Sequence, residues 1–172
     1  MKQVNFEAGK YYHLFNRGNN KLNIFFEEGN YLYFLDLVKK HLNPNIDVLA
    51  YCLLKNHFHF VIRIKDEDLP HAYKSGKKKL HQPFSNLFNA YTKAINKKYN
   101  RTGSLFQEHL KRKEISTEDY LKQVIAYVHM NPSSHGIAKS FENYPHSSYK
   151  SIVSVKPTLL KRNEVITLFQ DL

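Results

Sequence analysis

The sequence predicts an α+β fold: an antiparallel sheet with helices packed on it, closed by a C-terminal helix. Three observations predict it. Apolar residues alternate along short segments and recur at helical spacing along longer ones, in the order strand, helix, strand, strand, helix, strand, helix. The two central strands are separated only by Lys55-Asn56, short enough for an antiparallel hairpin. No internal repeat or second domain is visible in the 172 residues, so the chain reads as one domain, with a core over about residues 8–140 and an irregular tail over 141–172.

Taken in order, Tyr11 to Asn16 reads as the first strand, ended by the turn cluster Arg17-Gly18-Asn19-Asn20. Glu27 to Leu42 reads as a helix because Tyr31, Phe34, Leu35 and Val38 recur at its period, and Asn43-Pro44-Asn45 stops it. Ile46 to Leu54 and His57 to Ile64 form the hairpin. Residues 66–82, with Pro70, Gly76 and Lys77-Lys78-Lys79, read as an inserted loop whose charge run is solvated or meets a phosphate backbone. Pro83 to Tyr99 is the second helix, with proline at its start and Arg101-Thr102-Gly103 after its end. Leu105 to Ile115 reads as the fourth strand. A third helix begins at Ser116, where Ser116 and Asp119 form a weak cap, and ends within a residue or two of Pro132. Asn163 to Phe169 adds a last short helix. The first six elements follow the split βαβ, or ferredoxin-like, order βαββαβ.

Composition narrows the function. Lys and Arg number 26 against 15 Asp and Glu, a formal charge of +11, and 12 Tyr and 12 Phe are interleaved with them. Most of these rings build a core, but a basic surface with aromatics to spare suits a polyanion, nucleic acid above all. Cys52 is the single cysteine, which excludes an intramolecular disulfide and a cysteine metal cluster and fits a reducing compartment. The sequence shows neither a signal peptide nor a membrane span, so the expected location is the cytoplasm, in association with the nucleoid.

Two constellations carry chemistry. His57 and His59 lie two apart on a strand and share a face, where two imidazoles can ligate one divalent metal. Phe58 and Phe60 then face the core on the other side. In the third helix Leu121, Val124, Ile125 and Val128 form an apolar stripe. Tyr120, Gln123, Tyr127 and Asn131 form a polar-tipped stripe beside it, with Tyr127 and Asn131 one turn apart. A tyrosine hydroxyl can attack phosphorus and form a phosphotyrosine. Free tyrosine titrates near pH ~10, so a metal that polarises the phosphate would assist it. Asn131 could complete that metal's shell through its amide oxygen, and Tyr120 is a rival nucleophile on the same stripe.

Taken together these segments resemble the single-tyrosine HUH transposases, in particular the REP-associated tyrosine transposases of bacteria and related insertion-sequence transposases. Four blocks carry the resemblance in order: Tyr12-His13-Leu14-Phe15-Asn16-Arg17-Gly18; Asn56-His57-Phe58-His59-Phe60-Val61-Ile62; Tyr91-Thr92-Lys93 with Asn96 and Arg101-Thr102-Gly103-Ser104-Leu105-Phe106-Gln107; and Tyr127-Val128-His129-Met130-Asn131-Pro132. They run from about residue 11 to about 140. Lys55 stands where the family often has proline, and little matches beyond Gly136. The resemblance implies that His57, His59 and Asn131 bind Mg²⁺ or Mn²⁺. It implies that Tyr127 cuts single-stranded DNA, keeping a 5′-phosphotyrosine and freeing a 3′-OH, and that the substrates are hairpins at palindromic repeats. Arg17, Arg101, Lys111, Arg112 and Lys113 are the candidate DNA contacts, with Lys111 and Lys113 on one strand face and Arg112 on the other. Relatives act as monomers or as homodimers, and nothing in the sequence decides between them. Two other readings stay open: a catalytically silent, domesticated nucleic-acid-binding module of the same fold, and a metal-dependent phosphohydrolase without a covalent step.

Overall fold

The computed structural model describes residues 5–170. Four strands, β1 (Tyr11–Arg17), β2 (Ile46–Leu54), β3 (His57–Ile64) and β4 (Lys111–Ile115), form one antiparallel sheet in the order β2-β3-β1-β4. This is the expected ferredoxin-like arrangement. Its helices are α1 (Glu28–His41), a short α2 (His71–Lys74) within the segment expected as a loop, α3 (Gln82–Lys98), α4 (Glu118–Ser134), α5 (Tyr149–Val153) and α6 (Arg162–Leu168).

Strand alternation sorts the sheet into two faces. Tyr12 and Leu14 of β1, with Phe58, Phe60, Ile62 and Ile64 of β3, pack beneath α1 and α3 in one core. A shift of register between Val48 and Ala50 kinks β2. Ala50, Cys52 and Leu54 then turn to the opposite face, where Val61 joins them against Leu121, Val124, Ile125 and Val128 of α4. The sheet is therefore covered on both sides, and the helix carrying the tyrosine lies across the histidine face.

Two boundaries differ from expectation for physical reasons. The fourth strand starts at Lys111, not Leu105. Leu105 and Phe106 are buried in the α1/α3 core, and His109 turns the chain at φ 64° before the ladder begins. The cap of α4 is Thr117, whose side chain accepts the Tyr120 N–H, rather than Ser116. The other end of the helix, at Ser134, lies two residues past Pro132, within the expected range. After residue 140 the chain holds α5 as well as the expected last helix. Both belong to the α4-side core through Ile152 and Val165, and Tyr144 donates its hydroxyl to the Leu53 carbonyl at 2.8 Å. At Gly18 a Cβ would lie 1.9 Å from the Leu22 carbonyl oxygen, so only glycine allows the tight turn that follows β1. Among the described residues, no helix is long and apolar enough to cross a membrane.

Candidate active site

The β1–β3 register sets Arg17 opposite His57 and Phe15 opposite His59. All four side chains point to the α4 face. There they line a cavity of about 460 Å³ together with Tyr127, Lys111, Asn16, Gln107 and His135. Its floor is the rigid ladder of β1 and β3, and its wall is α4, held down by the buried stripe from Leu121 to Val128.

The histidines are in a form that can bind a metal. His59 is 7% exposed, and burial, reinforced by His13, His57 and His135, holds its imidazole down at about 3. Burial likewise lowers His57, partly offset by the neighbouring Asn131. Both rings are thus neutral at pH 7. The Nδ1–H of His57 donates to the Asn56 amide oxygen at 2.6 Å, which leaves Nε2 with its lone pair.

Tyr127 lines the same cavity, half exposed, with its ring centroid 5.6 Å from that of His59 and 6.0 Å from that of His13. Asn131, one turn on, is fully buried, and neither its Oδ1 nor its Nδ2 has a hydrogen-bond partner. A buried amide left unpartnered beside two neutral imidazoles fits a donor set that a divalent cation would complete: two nitrogens and one oxygen. Among the described residues, no three His, Cys, Asp or Glu side chains converge as a metal-binding group. The set therefore depends on the Asn131 oxygen.

The structure divides the candidate DNA contacts. Arg17 and Lys111 line the cavity, and the Nε of Arg17 is buried without a partner. Lys113 shares the face of Lys111, with its ammonium 5.0 Å over the Tyr120 ring. Arg112 points to the opposite face, 4.3 Å over the Phe6 ring, and lines a second cavity of about 450 Å³ that also touches Asn16 and Gln107. Arg101 lies apart, with its guanidinium 6.0 Å from the Phe26 ring. The rival Tyr120 lies outside the lining of the histidine cavity.

Sequence reasoning did not assign a role to His135 or His13. His135 is four residues beyond Asn131, the spacing that puts both on one helix face, but it lies past the proline expected to end the helix. Its ring sits 5.5 Å from that of His57. His13 shares the face of Phe15 and Arg17, yet its approach to His59 depends on a strand register that the sequence does not display.

No protein-family model and no curated protein sequence matches the chain. Among solved structures, it is similar to one described as a REP-associated tyrosine transposase bound to a REP hairpin. The TM-score is 0.70 at 15% identity, over 91% of this chain and 87% of that one. At that identity the likeness shows the fold, a four-stranded antiparallel sheet with its helices.

Proposed function

We propose that the protein cuts and rejoins single-stranded DNA at hairpin or palindromic repeat ends, with Tyr127 as nucleophile. The observation that carries this reading is a half-exposed Tyr127 lining one basic-walled cavity with His57 and His59, its ring against that of His59, with Asn131 unpartnered a turn away. The hairpin bound by the structurally similar transposase supports the choice of substrate.

His57 and His59 through Nε2, and Asn131 through Oδ1, would hold Mg²⁺ or Mn²⁺. Such a cation supplies charge neutralisation and polarisation of the scissile phosphate. Arg17 and Lys111 bind the phosphate oxygens and orient the group toward the tyrosine. Tyr127 Oη forms a bond to phosphorus as the bond to the 3′ oxygen breaks. The tyrosine hydroxyl loses its proton and the departing oxygen gains one, giving a 5′-phosphotyrosine and a free 3′-OH. Because the ester conserves the energy of the broken bond, attack by a 3′-OH reverses the step without ATP. The remaining cations, Arg101, Arg112 and Lys113, contact the strand outside the cavity.

The test is a hairpin oligonucleotide with a single-stranded flank, incubated in Mg²⁺ or Mn²⁺ and resolved under denaturing conditions. A protein–DNA adduct is expected, lost in Tyr127→Phe with hairpin binding retained, and kept in Tyr120→Phe. Tight binding with no adduct in any divalent metal would instead support the silent binding module.

A further inference from the structure

None of the steps above uses His13. It projects from β1 with Val61 as its register partner, so His59 is its diagonal neighbour on the adjacent strand. The two rings stack 5.1 Å apart, and His13 Nε2 meets His59 Nδ1 at 2.9 Å. Both side chains are buried. A neutral imidazole carries one N–H and one bare nitrogen. Two neutral rings joined nitrogen to nitrogen therefore admit two arrangements. In one, His13 donates to His59 Nδ1. The His59 proton then sits on Nε2, facing the cavity, and that ring has no lone pair left for a cation. In the other, His59 Nδ1–H donates to His13 Nε2, and His59 Nε2 is bare. Only the second arrangement is a ligand.

We propose that His13 is a positioning residue: by accepting the Nδ1 proton of His59, it turns a bare Nε2 toward the cavity and so sets the affinity of the site for a divalent cation. Asn56 does the same for His57, with an amide oxygen that can only accept. Each ligand histidine thus has its own acceptor behind it, and such outer partners typically change metal affinity about 10–100-fold. The inference rests on the reading of His57 and His59 as ligands.

The test measures Mn²⁺ binding to the full chain by calorimetry, without DNA. His13→Phe keeps a flat ring but offers no acceptor; His13→Gln places an amide oxygen near the position of Nε2. Affinity is expected to fall about 10–100-fold in His13→Phe and to return close to wild type in His13→Gln. In the Mg²⁺-saturated wild type, ¹⁵N NMR is expected to place the His59 proton on Nδ1. Wild-type affinity in His13→Phe, with binding still abolished by His57→Ala, overturns the inference and leaves the ligand reading standing. Equal losses in His13→Phe and His13→Gln overturn it in favour of packing alone. Binding indifferent to both His57→Ala and His59→Ala removes the ligand reading and the inference together. Should His13→Phe not fold, the His13→Gln affinity and the NMR result decide: a loss in the first, or a proton on Nε2 in the second, overturns the inference.

Discussion

Asn131 has no exposed surface, and neither its Oδ1 nor its Nδ2 makes a well-formed hydrogen bond, an arrangement that costs about 1–3 kcal/mol in a folded protein. Leucine has the same branched four-atom side chain, with bulkier methyls in place of the oxygen and nitrogen, and no polar atom to bury. Asn131→Leu is therefore expected to leave the melting temperature close to wild type, the removed penalty of about 1–3 kcal/mol offsetting an overpacking cost of about 1–3 kcal/mol, while abolishing Mn²⁺ binding and adduct formation. Thermal unfolding and calorimetry on the same preparation check both halves. The sequence made Asn131 legible as the neighbour of Tyr127 one turn on. Its complete burial was not legible, because a helical wheel set it on the polar stripe and could not show how closely α4 lies on β2 and β3. The strand pair His57 and His59 was legible from alternation alone; the partner His13 required the register.

At the scale of elements, β2 and β3 fall at the residues expected because alternation and a two-residue turn both constrain them. The fourth strand was overextended because Leu105 and Phe106 are apolar whether they anchor a strand or a turn. The helix α5 has five residues, too few for its period to register, so what anchors it was invisible. That anchor is His129 of α4, whose Nε2 lies 2.7 Å from Ser148 Oγ, while the same hydroxyl accepts the Tyr51 N–H of β2 at 2.8 Å. Burial holds His129 down at about 4, below the ordinary value of 6.5. Unfolded chains therefore bind its proton at a pH where the folded protein does not. Its contribution is complete above about pH 6.5 and is lost as the pH falls toward 4, on the order of 3 kcal/mol. His13 and His59 act in the same direction. The melting temperature is expected to drop steeply across this window, and less steeply in His129→Gln, as measured by unfolding scans at a series of pH values.

For the molecule as a whole, the formal charge of +11 and the cavity cations would make the proposed binding to a strand salt-dependent. A plot of log affinity for a hairpin oligonucleotide against log salt is expected to slope downward, and Lys111→Ala to flatten that slope by about one phosphate contact. An unchanged slope would place Lys111 away from the backbone. The ferredoxin-like order and the residues that make up the two candidate constellations were legible because each rests on local periodicity. The cover that α4, α5 and α6 place over the histidine face was not, since it depends on contacts between residues nearly a hundred apart, such as Tyr144 with Leu53. The central claim, that one tyrosine of this cavity becomes bonded to DNA, is tested most directly by trapping the complex with a hairpin oligonucleotide and mapping the nucleotide-bearing peptide by mass spectrometry. The account predicts the modification on Tyr127. Modification of Tyr120, or cleaved DNA with no modified tyrosine at all, would contradict it.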